Sequence, residues 1–250
     1  MKARILIILL AVLLLLLPVQ AFAQDCNTVT SGTVSNGFAE MNGVQKLVRW
    51  LDGTLWTAVV KDYGLTSQVF VYYSIDNGLN WIWSYNTGEG NDGAWKPTLS
   101  VASNYDLCLL YLADNGATYD VKGAMYDAGL DVWTPDGVIY TGNDVQSIAI
   151  DVGSDDTFHA AYYREQGACF DDIDYMTRTH QGNGTWNSWA VQETIVDVCR
   201  SPLGIAVSQE DDVCIVYDDG TDDINSSTYD ESLDSWSKQA ITNAGWNYYP

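Results

Sequence analysis

Carboxylates are the residues of this chain best equipped for chemistry. Asp218, Asp219, Asp222 and Asp223 crowd around Gly220, and several oxygens so close together form the kind of donor set that calcium takes. The same Asp/Gly composition is also ordinary turn chemistry, so the residues leave both readings open. Thirty-three Asp and Glu make a carboxylate pair at glycosidase separation unavoidable by chance, so their abundance does not argue for a hydrolase. No Ser or Cys nucleophile lies in a motif with a suitable base. The two histidines, His159 and His180, and the cysteine spacings match no zinc pattern. Gly88-Glu89-Gly90 sits in an Asn/Asp/Gly-rich loop rather than a strand-to-helix turn, which removes nucleotide binding. No residue is assigned a catalytic role.

The N-terminus carries an address. Lys2 and Arg4 precede an uninterrupted apolar run from Ile5 to Leu17, followed by Pro18 and Ala21-Phe22-Ala23. This is a signal peptide over 1–23, cleaved before Gln24, and its apolar run is too short to span a bilayer. The mature chain is expected to be secreted, periplasmic or on the cell surface, with no membrane span once the signal is removed. It then holds nine Lys and Arg against thirty-three acids. Such a surface repels nucleic acid and anionic membranes.

Export permits disulfides. Five cysteines, Cys26, Cys108, Cys169, Cys199 and Cys214, leave at least one unpaired within the chain.

The elements that must position these groups recur about every fifty residues. Strong strand patterns begin at Leu55, Leu107, Phe158 and Val213, second ones at Val69, Val121, Ile173 and Ile224, and each unit then reaches a tryptophan: Trp81, Trp133, Trp186 and Trp236. A period of this length made of short strands and Gly/Asp/Asn turns predicts an all-β propeller with about four visible four-stranded blades. The predicted blades are 43–96, 97–145, 146–200 and 201–250, after an N-terminal segment over 24–42. Innermost strands are read at 46–50, 98–102, 147–152 and 203–207. The second strands are apolar in both alternation phases, as a strand covered on both faces must be. That assigns Tyr111, Tyr162 and Tyr217 to packing between blades. His159, at the position of Trp56, Cys108 and Cys214, is read as a core residue.

The turn between the third and fourth strands of the first unit carries the most specific local pattern. In Ser74-Ile75-Asp76-Asn77-Gly78-Leu79-Asn80-Trp81, Ser74 and Asp76 can bond turn backbone, Gly78 permits positive φ, and Trp81 anchors the next strand. The sequence Ser-x-Asp-x-Gly-x-x-Trp resembles the Asp-box of the bacterial neuraminidase repeat found in sialidase-like propellers. Variants follow at 126–133 and 229–236, and Gly184-Thr185-Trp186 keeps a remnant, so the resemblance covers 43–250. It implies a fold and says little of activity, because Asp-boxes also occur in non-enzymatic propellers, on the face opposite the active site. An active sialidase would further imply three arginines on the substrate carboxylate, an Arg-Ile-Pro motif, an acid/base aspartate and a tyrosine paired with glutamate. The mature chain has only Arg49, Arg164, Arg178 and Arg200, lacks Arg-Ile-Pro, and has Lys61 where the second arginine is usual.

A secreted recognition or scaffold module for a glycan or extracellular protein is therefore the leading expectation. The alternative is a glycoside hydrolase, sialidase-like or other, with a divergent active site. In a propeller the loops after the second strands share one end with the connectors between blades, and that end is nominated as the ligand face. It would also bring Cys169 and Cys199 together as a disulfide, whereas Cys108 and Cys214, two blades apart, should exceed the ~7 Å limit for a bridge. Trp246 to Pro250 mirrors Trp95-Lys96-Pro97, where a fifth innermost strand would start. The favoured reading is part of a longer, six- or more-bladed propeller. The other is a complete four-bladed ring closed by residues 28–34; in either case calcium is the one cofactor for which the residues offer a site.

Overall fold

The structure, a computed structural model, describes residues 47–63, 66–88, 93–142, 144–165, 171–181, 185–198, 200–218, 224–230 and 235–241. All regular elements are strands, and they form four antiparallel four-stranded sheets whose strand order follows the chain. Blade 1 comprises β1 (Leu47–Arg49), β2 (Leu55–Tyr63), β3 (Thr66–Ser74) and β4 (Ile82–Asn86). Blade 2 comprises β5 (Ala94–Val101), β6 (Leu107–Asp114), β7 (Tyr119–Asp127) and β8 (Val132–Tyr140). Blade 3 comprises β9 (Asp144–Val152), β10 (Phe158–Glu165), β11 (Asp171–Arg178) and β12 (Ala190–Val198). Blade 4 comprises β13 (Arg200–Val207), β14 (Val213–Asp218), β15 (Ile224–Asp230) and β16 (Ser235–Ala240). This is the repeat expected from the sequence, with each unit a meander of its own. Among the described residues no helix is long and apolar enough to cross a membrane.

The first strands of blades 2, 3 and 4 start ahead of the positions read from the sequence, because each runs through a bulge. Register shifts between Trp95 and Thr98, opposite Arg164 and Tyr163, and between Arg200 and Leu203. Pro97 and Pro202 occupy two of these interruptions. A bulge tolerates a residue with no backbone N–H to give the ladder. Lys96 takes φ 47 there, and its ammonium donates to the Gln146 carbonyl of the next blade.

Three apolar layers lie between successive blades. Leu107, Leu109 and Tyr111 of β6 pack with Trp56, Ala58 and Val71 of blade 1, while Cys108, Leu110 and Leu112 turn to Ile148, Phe158 and Tyr162 of blade 3. Ala161 and Tyr163 face Val213, Ile215 and Tyr217 of blade 4. Alternation along the second strands of blades 2 and 3 thus feeds two cores, which is why these strands read as apolar in both phases, whereas β2 and β14 each feed one. Tyr111, Tyr162 and Tyr217 are all nearly inaccessible. Each faces the preceding blade, as their shared place in the repeat requires.

The repeat tryptophans reach further than the sequence suggested. Trp133 Nε1 donates across to Ser84 Oγ of blade 1 at 3.0 Å, and Trp186 Nε1 donates to Asp106 Oδ2 of blade 2 at 3.0 Å. They anchor each blade to its predecessor as well as to its own turn. Asp106, almost completely buried, also accepts from Ala128 N at 2.9 Å and Asn104 Nδ2 at 2.8 Å, so its carboxylate is well satisfied.

Cys108 is a free, fully buried thiol, as expected. Cys214 is also free but only half-buried, which corrects its assignment to a core position. It alternates with Val213 and Ile215, which face blade 3, so its side chain takes the other face of blade 4. Cys26, Cys169 and Cys199 lie outside the described residues, and so does the proposed closing segment 28–34.

Candidate functional site

The turn between β3 and β4 is built as its residue types require. Ser74 Oγ donates to Asp76 Oδ1 at 2.8 Å and accepts from Gly78 N at 2.8 Å. Gly78 takes φ 88, and Trp81 lies against it half-buried. Two partners were not foreseen: Asn80 gives Asp76 both its backbone N–H, at 2.8 Å, and its side-chain amide, at 2.6 Å. Asn77 joins Gly78 at positive φ. The Asn80 backbone N–H, then its amide and the Ser74 hydroxyl, hold the Asp76 carboxyl below its ordinary value. This turn is a closed hydrogen-bonding unit, and it offers no chemistry beyond structure.

Asp218 closes β14 as a buried carboxylate opposite Arg200 and Ile224. Asp219, Asp222 and Asp223 lie outside the described residues, as do most residues of the nominated ligand face. Among the described residues no three His, Cys, Asp or Glu are placed to hold a metal ion.

The arginines whose side chains are described, Arg49, Arg164 and Arg178, go to separate places, and the side chain of Arg200 is not among those described. Arg164, near the end of β10, donates from Nε to Asp174 and from Nη2 to Asp172, each at 2.7 Å. Arg178 pairs with Phe158 at the opposite end of the same two strands, and its guanidinium reaches Asp136 of blade 2. Arg49 lies beside the first turn of blade 1, within 3.5 Å of Asn77 Oδ1. The Lys61 ammonium lies over the rings of Phe70 and Tyr72 and donates to the Tyr72 hydroxyl. A tyrosine–carboxylate pair does occur, Tyr162 with Asp174, but burial, and then the Asp174 charge, push the Tyr162 phenol far up. Burial and the neighbouring charge thus both favour the neutral phenol over the phenolate.

Two hollows occur at other places. The first turns of blades 1 to 3 surround a space of about 250 Å³ bordered by Arg49, Trp50, Leu51, Tyr105, Ser154 and Asp156. A second, of about 220 Å³, is a lateral groove between β8 and the segment leading into β12. Asp136, Val138, Arg178, Asn187, Ser188 and Trp189 border it. The groove exists because blade 2 is pared back at one point: a Cβ on Gly123 would meet Asp136 Oδ2 at 3.0 Å and Ile139 Cδ1 at 2.9 Å. Gly137, at φ 75, turns the strand directly after Asp136. Asp136 and Arg178 carried no signal in the sequence, since one is a strand residue of a solvated edge and the other a strand end.

Among the described residues, sixteen strands in four antiparallel meanders with this inter-blade packing define a β-propeller fold. No protein-family model and no curated protein sequence matches the chain. Solved structures do. Trypanosoma rangeli sialidase superposes with a TM-score of 0.56 at 12% identity, covering 87% of this chain and 40% of that one. The Hadza microbial sialidase Hz136 gives 0.55 at 12%, covering 79% and 46%. Penicillium chrysogenum alpha-L-arabinanase gives 0.53 at 14%, covering 85% and 68%. The chain thus spans less than half the length of both sialidases, and the likeness is one of fold.

Proposed function

We propose that this protein is an exported propeller that recognises carbohydrate without turning it over. One observation carries the reading: the described arginines are committed to separate scaffold partners at opposite ends of the blades, and none converges with a second on a common point. Bidentate carboxylate recognition by clustered arginines is what sialic acid chemistry needs. Three described carboxylates near the loop end are likewise engaged, Asp172 and Asp174 by Arg164 and Asp120 by Asn115. Calcium at Asp218, Asp219, Asp222 and Asp223 would rigidify one loop of that end, and a Cys169–Cys199 bridge another. The fold neighbours, a galactanase and an arabinanase among them, favour glycan over protein as the ligand and also sustain the second reading, a glycosidase with a divergent site.

A glycan array probed with the purified mature protein, run beside hydrolysis assays on sialyl, galactosyl and arabinosyl substrates, separates these readings. Binding without sugar release is expected. Turnover lost in Arg164→Ala would make the protein a hydrolase, and silence in both assays would remove carbohydrate from the proposal.

A further inference from the structure

We infer that the lateral groove between blades 2 and 3 is a binding site for a single neutral sugar residue. This inference rests on the carbohydrate reading above and gives it a location away from the loop end. The groove's chemistry selects the ligand. Arg178 is more than nine-tenths buried and its charge is met by Asp136, so the pair presents no net positive charge to attract a carboxylate or sulfate. What remains is an acceptor-rich carboxylate edge at Asp136, the exposed Ser188 hydroxyl, and the apolar bodies of Val138 and Trp189, while the Asn187 amide is held in its own turn by Thr179 and Gln181. A polyol with one apolar face suits that combination: its hydroxyls donate to the carboxylate while its C–H face covers the apolar wall. With nine cations against thirty-three acids in the mature chain, an anionic ligand would also be repelled at a distance.

A second observation points to an occupant. Arg178 Nε and Trp189 Nε1 are shielded donors with no acceptor among the described residues. The Arg178 guanidinium lies 5.9 Å from the Trp189 ring centre, so the two share one wall. Buried N–H groups without acceptors are uncommon and costly in folded proteins. Donors this shielded receive a hydroxyl oxygen only if the half-buried Trp189 ring shifts as the sugar seats. The volume of about 220 Å³ lies below the range of drug-sized ligand pockets, which limits the occupant to one ring.

Saturation-transfer NMR with methyl β-D-galactopyranoside, methyl α-L-arabinofuranoside and the methyl glycoside of N-acetylneuraminic acid tests the inference. Transfer to at least one neutral glycoside and none to the neuraminide is expected. Val138 is 52% exposed, so Val138→Trp should fill the groove without touching the ion pair and abolish that signal; circular dichroism confirms the fold. Ser188→Ala, which leaves the Asn187 turn bonds in place, should weaken binding about tenfold. Neutral-sugar binding that survives Val138→Trp overturns the groove while leaving the carbohydrate reading intact. An array positive only for charged glycans does the same. An array with no binding at all overturns both.

Discussion

The joint between blades 1 and 2 and the joints that follow it solve one geometric problem with different chemistry. In all four blades the first turn has the same backbone, with paired bonds such as Gly153 N to Thr157 O and Asp156 N to Gly153 O. At the joint of blades 2 and 3, Asp156 accepts from Ser103 N and Ser103 Oγ, both at 2.6 Å. At the next joint Asp211 accepts from Ser154 N at 2.5 Å and Ser154 Oγ at 2.9 Å. The corresponding residues of the first joint are Leu51 and Tyr105, which cannot form that clasp. There the Tyr105 ring meets Trp50 edge-on at 5.3 Å, and Trp50 continues into a cluster with Trp56, Tyr126 and Trp133.

The exchange is coordinated along the turn. Asp211 fits only because Gly153 leaves room, since a Cβ there would lie 2.6 Å from Asp211 Oδ1. The equivalent of Gly153 in blade 1 is Trp50. At the Ser103–Asp156 clasp the equivalent residue is Ala102, so a clasp joint has glycine or alanine where the aromatic joint accommodates a tryptophan. Tyr105, Asp156 and Asp211 all hold positive φ, at 72°, 67° and 65°. Aspartate is among the few non-glycine residues that enter this region readily, whereas tyrosine does so at a cost that its ring contacts must offset.

The largest effect should come from the aromatic joint. Trp56, only 2% exposed and in contact with four aromatic rings, should cost about 3–5 kcal/mol when replaced by alanine. The shift of the denaturant midpoint reads it, and a loss below that of a clasp mutant would show that the aromatic joint is not the stronger one. Asp211→Gly comes next. It removes the clasp while keeping a residue at ease with positive φ, and should cost about 1 kcal/mol because the turn is partly exposed.

His159 separates the joint of blades 3 and 4 from the others by its pH response. Its Nδ1 lies 2.6 Å from the Tyr175 hydroxyl, and it is 7% exposed. Burial depresses its pKa, and the nearby charges of Asp155, Asp211 and Asp151 offset this only in part. The unfolded chain therefore binds the proton more readily than the folded one. The contribution of neutral His159 is full above the unfolded pKa of about 6.5 and is lost as pH falls from there toward the folded value. Relative to His159→Gln, wild-type stability should decline between pH 7 and 5, by no more than about 1.4 kcal/mol per pH unit. Parallel curves for the two proteins would remove this assignment.

The smallest effect should come from converting one joint into the other. Leu51→Ser/Tyr105→Asp installs the clasp pair between blades 1 and 2 at the expense of the Trp50–Tyr105 contact, and its stability should stay within about 1 kcal/mol of wild type. Tyr105→Asp alone, with no serine to donate to it, should be the less stable of the two. If the single variant equals the double, the serine and aspartate do not couple there.

Residues that complete their bonding within a few positions of themselves were legible from the chain alone. The turn of Ser74, Asp76 and Gly78 is one case, since its partners are fixed by chain connectivity. The doubly apolar second strands are another, because alternation along a strand has only two faces to fill, and Tyr111, Tyr162 and Tyr217 followed from it. Tertiary structure alone decided what meets across a joint. Ser103 and Asp156 are 53 residues apart, Ser154 and Asp211 57, and Asp136 and Arg178 42. Each of these is an unremarkable turn, edge or strand-end residue locally. Their pairing depends on how far one sheet rotates and slides against the next, a quantity set by the summed packing of three aromatic and aliphatic layers and carried by no short stretch of sequence. The same reason hid the reach of Trp133 and Trp186 to the preceding blade, the exposure of Cys214 and the groove beside Trp189.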